Sequence, residues 1–326
     1  MRCADDPAVS ALAAVPPLTW ARVGTAWRFE PGVVAVAAVL GGGYAAGVRR
    51  RPGWPRSRSW CAAVAVALLL VIGCSFLGVY SDVLFWVRAT QNILLLMVVP
   101  MLLAAAAPLT LLAATMPAGA RRRCSRVLHS RPAVWATLPP VVSLVLVVPI
   151  LVLYLSPLYE QTLRSAAVSA VAGTVLALSG FVYFWTRFRI DPVPRAGSHL
   201  VTLAITIVEM IGDAVLGLVV WLGPLIAVGF YAALGRQWGP DLRTDQVLGA
   251  GVLWAGGDVV GLPFIGVVVA RMAREDEAHG RRVDAELDRA AAAAETETEP
   301  EAGPVPSRLW WEDDPQLADR FRRPLP

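Results

Sequence analysis

Charge is scarce in this chain. Only 17% of its 326 residues are charged, 56% are hydrophobic, and the mean hydropathy is +0.57. Soluble domains carry roughly a quarter charged residues, so that class is excluded. Cysteine is sparse as well. Cys3, Cys61, Cys74 and Cys124 form no Cys-x-x-Cys pair. No disulfide framework is implied, and the four read as small apolar residues before they read as redox or metal groups. There are three histidines, His129, His199 and His279. No nucleophile stands with a base, and no phosphate loop or metal-ligand set is visible, so the chain does not read as an enzyme. The N-terminus "MRCADDPAVSALAAVPPLTW" lacks the signal-peptide pattern: it has early acids, a Pro-Pro and no clean apolar core.

What the chain has is long apolar runs. Seven are predicted as transmembrane helices, at residues 32–48, 60–80, 87–112, 134–154, 166–185, 200–222 and 247–270. They are too long and continuous for barrel strands. The fold class expected is all-α: a polytopic membrane bundle of seven transmembrane helices with a partly disordered cytoplasmic C-terminal tail. Residues 1–30 would be extracytoplasmic, 31–272 the membrane domain, and 273–326 the tail. The "GGGYAAG" of the first run would let a neighbouring helix approach closely. Prolines within the runs are tolerable where neighbours satisfy the freed carbonyls.

The net charge of +4 comes from arginines clustered between the runs. That distribution fits membrane topology and not a phosphate-tracking face, so nucleic acid is not an expected partner. Arg49, Arg50, Arg51, Arg56 and Arg58 follow the first run, and Arg121, Arg122, Arg123, Arg126 and Arg131 the third. Richer loops face the cytoplasm, which places the N-terminus outside a cell (inner) membrane and the C-terminus inside. The tail begins "AREDEAHGRRVDAELDRAAAAA", a soluble helix continuing from the seventh run, and passes through the acidic linker "ETETEPEAGPVPS" to "RLWWEDDPQLADRFRRP". Its paired tryptophans read either as a docking peptide for a cytoplasmic partner or as a segment lying on lipid headgroups.

Two polar groups interrupt the apolar pattern. In "SDVLFWVRATQN", Arg88, Gln91 and Asn92 fall at i, i+3 and i+4, one face of a helix at the outer mouth. Arg88 could hold Asp82 if the helix breaks between them, or a lipid phosphate. Deeper, Glu209 and Asp213 lie one turn apart in the sixth run and Asp258 lies in the seventh. An intramembrane carboxylate costs about 2.5–3.5 kcal/mol on insertion scales, so these should face the bundle with partners. The trio reads as a structural cluster of protonated acids, as a proton or cation path, or as a residual oxygen-ligand site.

The stretches "WRFEPGVVAVAAVLGGGYAAGVRR", "ATQNILLLMVVPMLLAAAAPLTLL", "LSPLYEQTLR" and "DQVLGAGVLWAGGDVVGL" together resemble the seven-helix CtaG family of cytochrome c oxidase assembly factors. The resemblance implies a role in oxidase biogenesis through its copper centre. It also implies histidines where Arg88 and Asn92 stand here, and a second pair where this chain has Ser169 and Gly173. Arginine is a donor only and cannot coordinate a cation. The implied copper ligands are therefore absent, and no cofactor or metal site is expected. Met97, Met101 and Met210 read as packing before copper ligation. The function expected is a non-catalytic accessory factor in oxidase assembly, with membrane lipid and an oxidase subunit or another assembly factor as partners. The alternative is a small transporter or proton- or cation-handling protein built on Glu209, Asp213 and Asp258.

Overall fold

The computed structural model describes residues 12–128, 130–188 and 199–297, and every regular element among them is a helix. The chain divides into two compact units, residues 1–269 and 270–326. A short helix α1 (Trp20–Thr25) precedes α2 (Pro31–Arg49), which opens on a proline whose missing N–H is no loss there. Ser75 separates α3 (Arg56–Cys74) from α4 (Phe76–Tyr80), and its hydroxyl caps α4 by accepting the Leu77 N–H at 3.3 Å. Next come α5 (Phe85–Ile93), a π-helical turn (Leu94–Val98) and α6 (Val99–Ala105). Then follow α7 (Pro108–Thr115), α8 (Ala118–Leu128) and α9 (Arg131–Ala136). The remainder comprises α10 (Pro139–Leu155), α11 (Leu158–Arg164), α12 (Ala166–Phe188), α13 (His199–Leu222), α14 (Val228–Ala233) and α15 (Leu242–Glu297).

The expected count of seven spans is corrected by this structure. Among the described residues, four helices are long and apolar enough to cross a membrane: Pro31–Arg49, Arg56–Tyr80, Phe85–Ala105 and Ala166–Phe188. A fifth is reached only if α10 and α11, bent by 74°, form one broken span. The chain is thus an all-α, multi-pass membrane protein with four to five candidate spans among the described residues.

Two of the runs end or start elsewhere for local reasons. The third run does not continue to Leu112, because Ala107 adopts a left-handed φ of 53° and Pro108 starts a new helix. In the fourth, the helix is interrupted near its start: α9 ends at Ala136, and α10 begins only at Pro139 and is 17 residues long. The sixth contributes only Met210–Leu222 as an apolar helix among the described residues. The seventh continues into the tail as one helix, as expected: α15 runs on to Glu297.

Contacts set the direction of each pass. A Cβ on Gly73, late in α3, would lie 2.6 Å from Val33, early in α2, and one on Gly47 would lie 3.0 Å from Leu111 of α7. Arg187, late in α12, donates to Ser143, early in α10, at 3.2 Å. Gly217 abuts Trp254, and Gly261 lies near Met210, so α13 and α15 pack antiparallel within the membrane unit.

The main core gathers Phe85, Ile93, Met97, Leu146, Leu153, Tyr154, Tyr159 and Tyr231, with other residues of α5–α14. Lipid is as apolar as these side chains, so close packing rather than water exclusion holds such a core. Within "GGGYAAG", Gly41 meets Val66 of α3 and Gly47 meets Leu111 of α7, while Gly42 and Gly43 have nothing within 4 Å. Among the described glycines the tightest approach is at Gly180 of α12, where a Cβ would collide with the Leu96 carbonyl of the π-helical turn.

Candidate functional site

The site sits where α4, α5, α11, α12, α14 and the start of α15 meet. Its frame begins with a helix that has no cap of its own. Leu84 precedes α5 and offers no side-chain acceptor, so the first N–H groups of the helix need one from elsewhere. Asp245 of α15 supplies it: its Oδ2 accepts the Phe85 N–H at 3.1 Å and its Oδ1 the Trp86 N–H at 3.0 Å. Arg236 donates to the same carboxylate at 3.2 Å, to Pro240 O at 2.8 Å and to Trp238 O at 2.8 Å. Asp245 is buried, and burial pushes its carboxyl above the usual range, while those N–H groups and the Arg236 cation pull it back. Gln246 accepts the Ile226 N–H at 2.8 Å and donates to Val220 O at 2.8 Å and Pro224 O at 3.0 Å. These two residues lock the connections around α14 onto α5 and α13.

Arg88 lies one turn into α5 and is buried. Its Nη1 donates to Asp82 at 2.8 Å, and its Nη2 to Ser169 Oγ at 2.9 Å and Thr162 O at 3.3 Å. The pairing with Asp82 is possible because the chain turns between Tyr80 and Phe85 instead of staying helical. Asn92, one turn further, donates to Tyr154 Oη at 2.9 Å. Gln91 does not share their surroundings. It points the other way and donates to Ile72 O of α3 at 3.1 Å.

Aromatic rings fill the space beside Arg88. Phe85, Tyr154 and Tyr159 stack with centroids 5.2–5.8 Å apart, within the favourable range for tilted and edge contacts. The Tyr159 and Tyr231 hydroxyls share a 2.9 Å hydrogen bond. Burial pushes the Tyr231 hydroxyl well up, so it remains a neutral donor. The adjoining cavity is about 10 Å³, lined by Phe85, Ile226, Tyr231, Asp245 and Gln246 among others. That holds about one water and no substrate-sized molecule.

This arrangement is tied down on all sides rather than open for reaction. The cation is paired, the helix end is capped by a remote acid, and the hydroxyls bond one another. Sequence reasoning placed Arg88 and Asn92 here and missed Asp245, Gln246 and Arg236. Of the inner acids, Asp258 is described: its Oδ1 is buried and has no hydrogen-bond partner among the described residues. The packing of α13 on α15 brings the backbones of positions 213 and 258 to one level, while the side chains of Glu209 and Asp213 lie outside the described residues. The side chains of His129, His199 and His279 and the "RLWWEDD" segment lie outside them too.

A family model described as "cytochrome c oxidase caa3 assembly factor (Caa3_CtaG)" matches residues 42–275. The chain belongs to the Caa3_CtaG family. Family membership holds, but the seven-helix bundle attached to the resemblance does not, since four to five candidate spans are present among the described residues. Uncharacterised proteins of Mycobacterium bovis and Mycobacterium tuberculosis are each 29% identical over 287 residues, covering 83% of this chain and 43% of their own. One of Mycobacterium leprae is 28% identical over 279 residues, covering 81% and 42%. The chain thus spans less than half the length of these relatives. No solved structure matches it significantly.

The Caa3_CtaG resemblance implied copper, and the residues present can be tested against it. Arg88 and Ser169, both at positions where the resemblance implies histidine, are in direct contact. Their contact is a guanidinium donating to a hydroxyl, next to a carboxamide at Asn92 and no side chain at Gly173. Copper takes imidazole, thiolate or thioether donors, and a fixed cation repels it. The residues do not fit the metal. Among the described residues, no group of three His, Cys, Asp or Glu side chains could hold a metal ion. Met97 is buried in the main core and Met101 packs against it.

Proposed function

We propose that this Caa3_CtaG protein is a non-catalytic membrane accessory factor in the assembly of cytochrome c oxidase. The observation that carries the reading is the family match over residues 42–275. The interlocked site supports it, because paired and capped groups suit a rigid scaffold presented to a client better than a reaction centre. The expected partners are an oxidase subunit or another assembly factor, with the C-terminal tail as a docking segment on the cytoplasmic side. Copper delivery through Arg88 and Asn92 is not part of the proposal. Deleting the gene and recording cytochrome difference spectra of the membranes, with and without added copper, tests it. Loss of the oxidase haem signal that copper does not restore is the expected result. An unchanged oxidase signal would overturn the reading.

A second reading rests on Asp258, whose buried oxygen lacks a partner among the described residues. A carboxylate in that position, level with Asp213, suits proton or cation handling by Glu209, Asp213 and Asp258. Asp213→Asn and Asp258→Asn keep size and polarity while removing titration. On this reading both abolish ion flux in proteoliposomes and leave the melting temperature unchanged. Flux equal to that of the unaltered protein would eliminate it.

A further inference from the structure

One end of the membrane unit is strongly basic. Tyr44, late in α2, donates its hydroxyl to Ala106 O at 2.9 Å, and Trp54 Nε1 donates to that hydroxyl at 2.9 Å. The Arg58 guanidinium lies 5.1 Å from the Trp54 ring centroid. These contacts hold the loop between α2 and α3 beside the end of α6, where the chain passes into α7 and α8. The loop and the helix ends beside it bring five arginines between residues 49 and 58, and α8 brings Arg121, Arg122, Arg123 and Arg126. No acid stands between Glu30 and Asp82, or between Asp82 and Glu160. Every cation in the chain is arginine, with no lysine at all.

Helix α8 has no buried residue. Yet it is amphipathic: Ala120, Cys124, Val127 and Leu128 recur at i, i+4, i+7 and i+8, a single apolar stripe. Arg121 and Arg123 flank that stripe, while Arg122 and Arg126 lie opposite. Val127 and, in α9, Trp135 are each 69% exposed. We propose that α8 is an interfacial helix that binds the phosphates of anionic phospholipid headgroups. The stripe would sink to the headgroup–acyl boundary, and the flanking guanidiniums would each offer parallel N–H donors to phosphate oxygens. The neighbouring span, Phe85–Ala105, keeps a bilayer within reach of α8. A free phosphate ion would satisfy the arginines and leave Val127 and Trp135 in water.

The full chain in nanodiscs tests this. Hydrogen exchange of residues 118–128 should be at least ten-fold slower in phosphatidylglycerol discs than in phosphatidylcholine discs. An arginine at an anionic surface is worth about five-fold in binding, so Arg121→Gln with Arg123→Gln should remove about twenty-five-fold. Nothing in α8 is buried, so the double variant should melt like the unaltered protein. Should it not, the comparison of the two lipids with the unaltered protein still decides. Equal exchange in both discs would overturn the proposal and favour an acidic protein as the occupant. So would protection by inorganic phosphate in phosphatidylcholine discs, or protection in phosphatidylglycerol that the double variant keeps.

Discussion

Arg88 and Asp82 form an ion pair, with 2.8 Å between Nη1 and Oδ1, across the turn that separates α4 from α5. The Arg88 side chain is 6% exposed and that of Asp82 23%. The pair therefore sits at the edge of the core, where the acid retains some water. The same guanidinium reaches α11 through Thr162 and α12 through Ser169, so one side chain joins three parts of the bundle.

Removing that cation should destabilise the chain. A fully buried pair broken on one side costs about 3–5 kcal/mol, and the partial exposure of Asp82 lowers this to about 2–3 kcal/mol for Arg88→Met. Arg88→Lys should recover less than half, because an ammonium lacks the planar fork that spans Asp82 and Ser169. Denaturant midpoints in detergent measure both. An Arg88→Met protein within about 0.5 kcal/mol of the unaltered one would show that the pair is ornamental.

Two carboxylates at the start of α15 should respond to pH in opposite directions. Burial raises the Asp245 carboxyl above its ordinary 3.8, while hydrogen bonds from Thr244 hold Asp241 below 3.8. A raised carboxyl binds its proton more tightly in the folded chain. Its contribution is full below pH 3.8 and is lost as pH rises through the raised value. For Asp241 the contribution is full above pH 3.8 and is lost as pH falls through the lowered value. Melting curves of Asp245→Asn and Asp241→Asn, each subtracted from the unaltered protein, should therefore slope with opposite sign. Two slopes of one sign would contradict the assignment. At neutral pH, Asp245→Ala should cost about 3–5 kcal/mol, since it strands Arg236 and two N–H donors.

Hydropathy read the helical class and the multi-pass character correctly, because apolar runs report directly on what lipid tolerates. It could not read where helices stop. Ala107 and Thr137 carry no strong breaking signal of their own, and each ends a helix inside a run that looked continuous. Spacing likewise placed Arg88 and Asn92 together, but a shared helix face is wide. Gln91 turned out to bond α3, while its neighbours bond α10, α11 and α12. Asp245 was illegible for another reason. It caps a helix 160 residues away in sequence, where rules for local caps have no reach. The only sign was an acid and an amide, Asp245 and Gln246, side by side ahead of an apolar run.

Glycine density showed part of the close packing, at Gly41 and Gly47, and gave no sign of the tighter approach at Gly180. Gly180→Ala would drive a Cβ into the Leu96 carbonyl, a backbone atom that cannot swing aside. It should cost more than about 3 kcal/mol or abolish folded expression. Gly43→Ala, with nothing within 4 Å, should be neutral or should stabilise α2 by about 0.5–1 kcal/mol through helix propensity. Detergent-resistant folded yield and melting temperature separate the two. Equal behaviour of both variants would mean that α12 does not approach the π-helical turn as closely as described.

The orientation rests on arginine asymmetry, and a native thiol can test it. Cys124 is exposed on α8, whereas Cys74 is buried and Cys61 is half-buried within α3. Cys124 is therefore the reporter for the basic end, with Cys3→Ser removing the thiol outside the described residues. Five arginines between residues 49 and 58, and four on α8, predict by the positive-inside bias that this end faces the cytoplasm. In intact cells Cys124 should resist a membrane-impermeant maleimide and react with a permeant one. After the cells are opened, both reagents should label it. A Cys124→Ser control should lose the signal in every condition. Labelling of intact cells by the impermeant reagent would invert the topology, and would put the N-terminal segment and the Arg88 site on the cytoplasmic face.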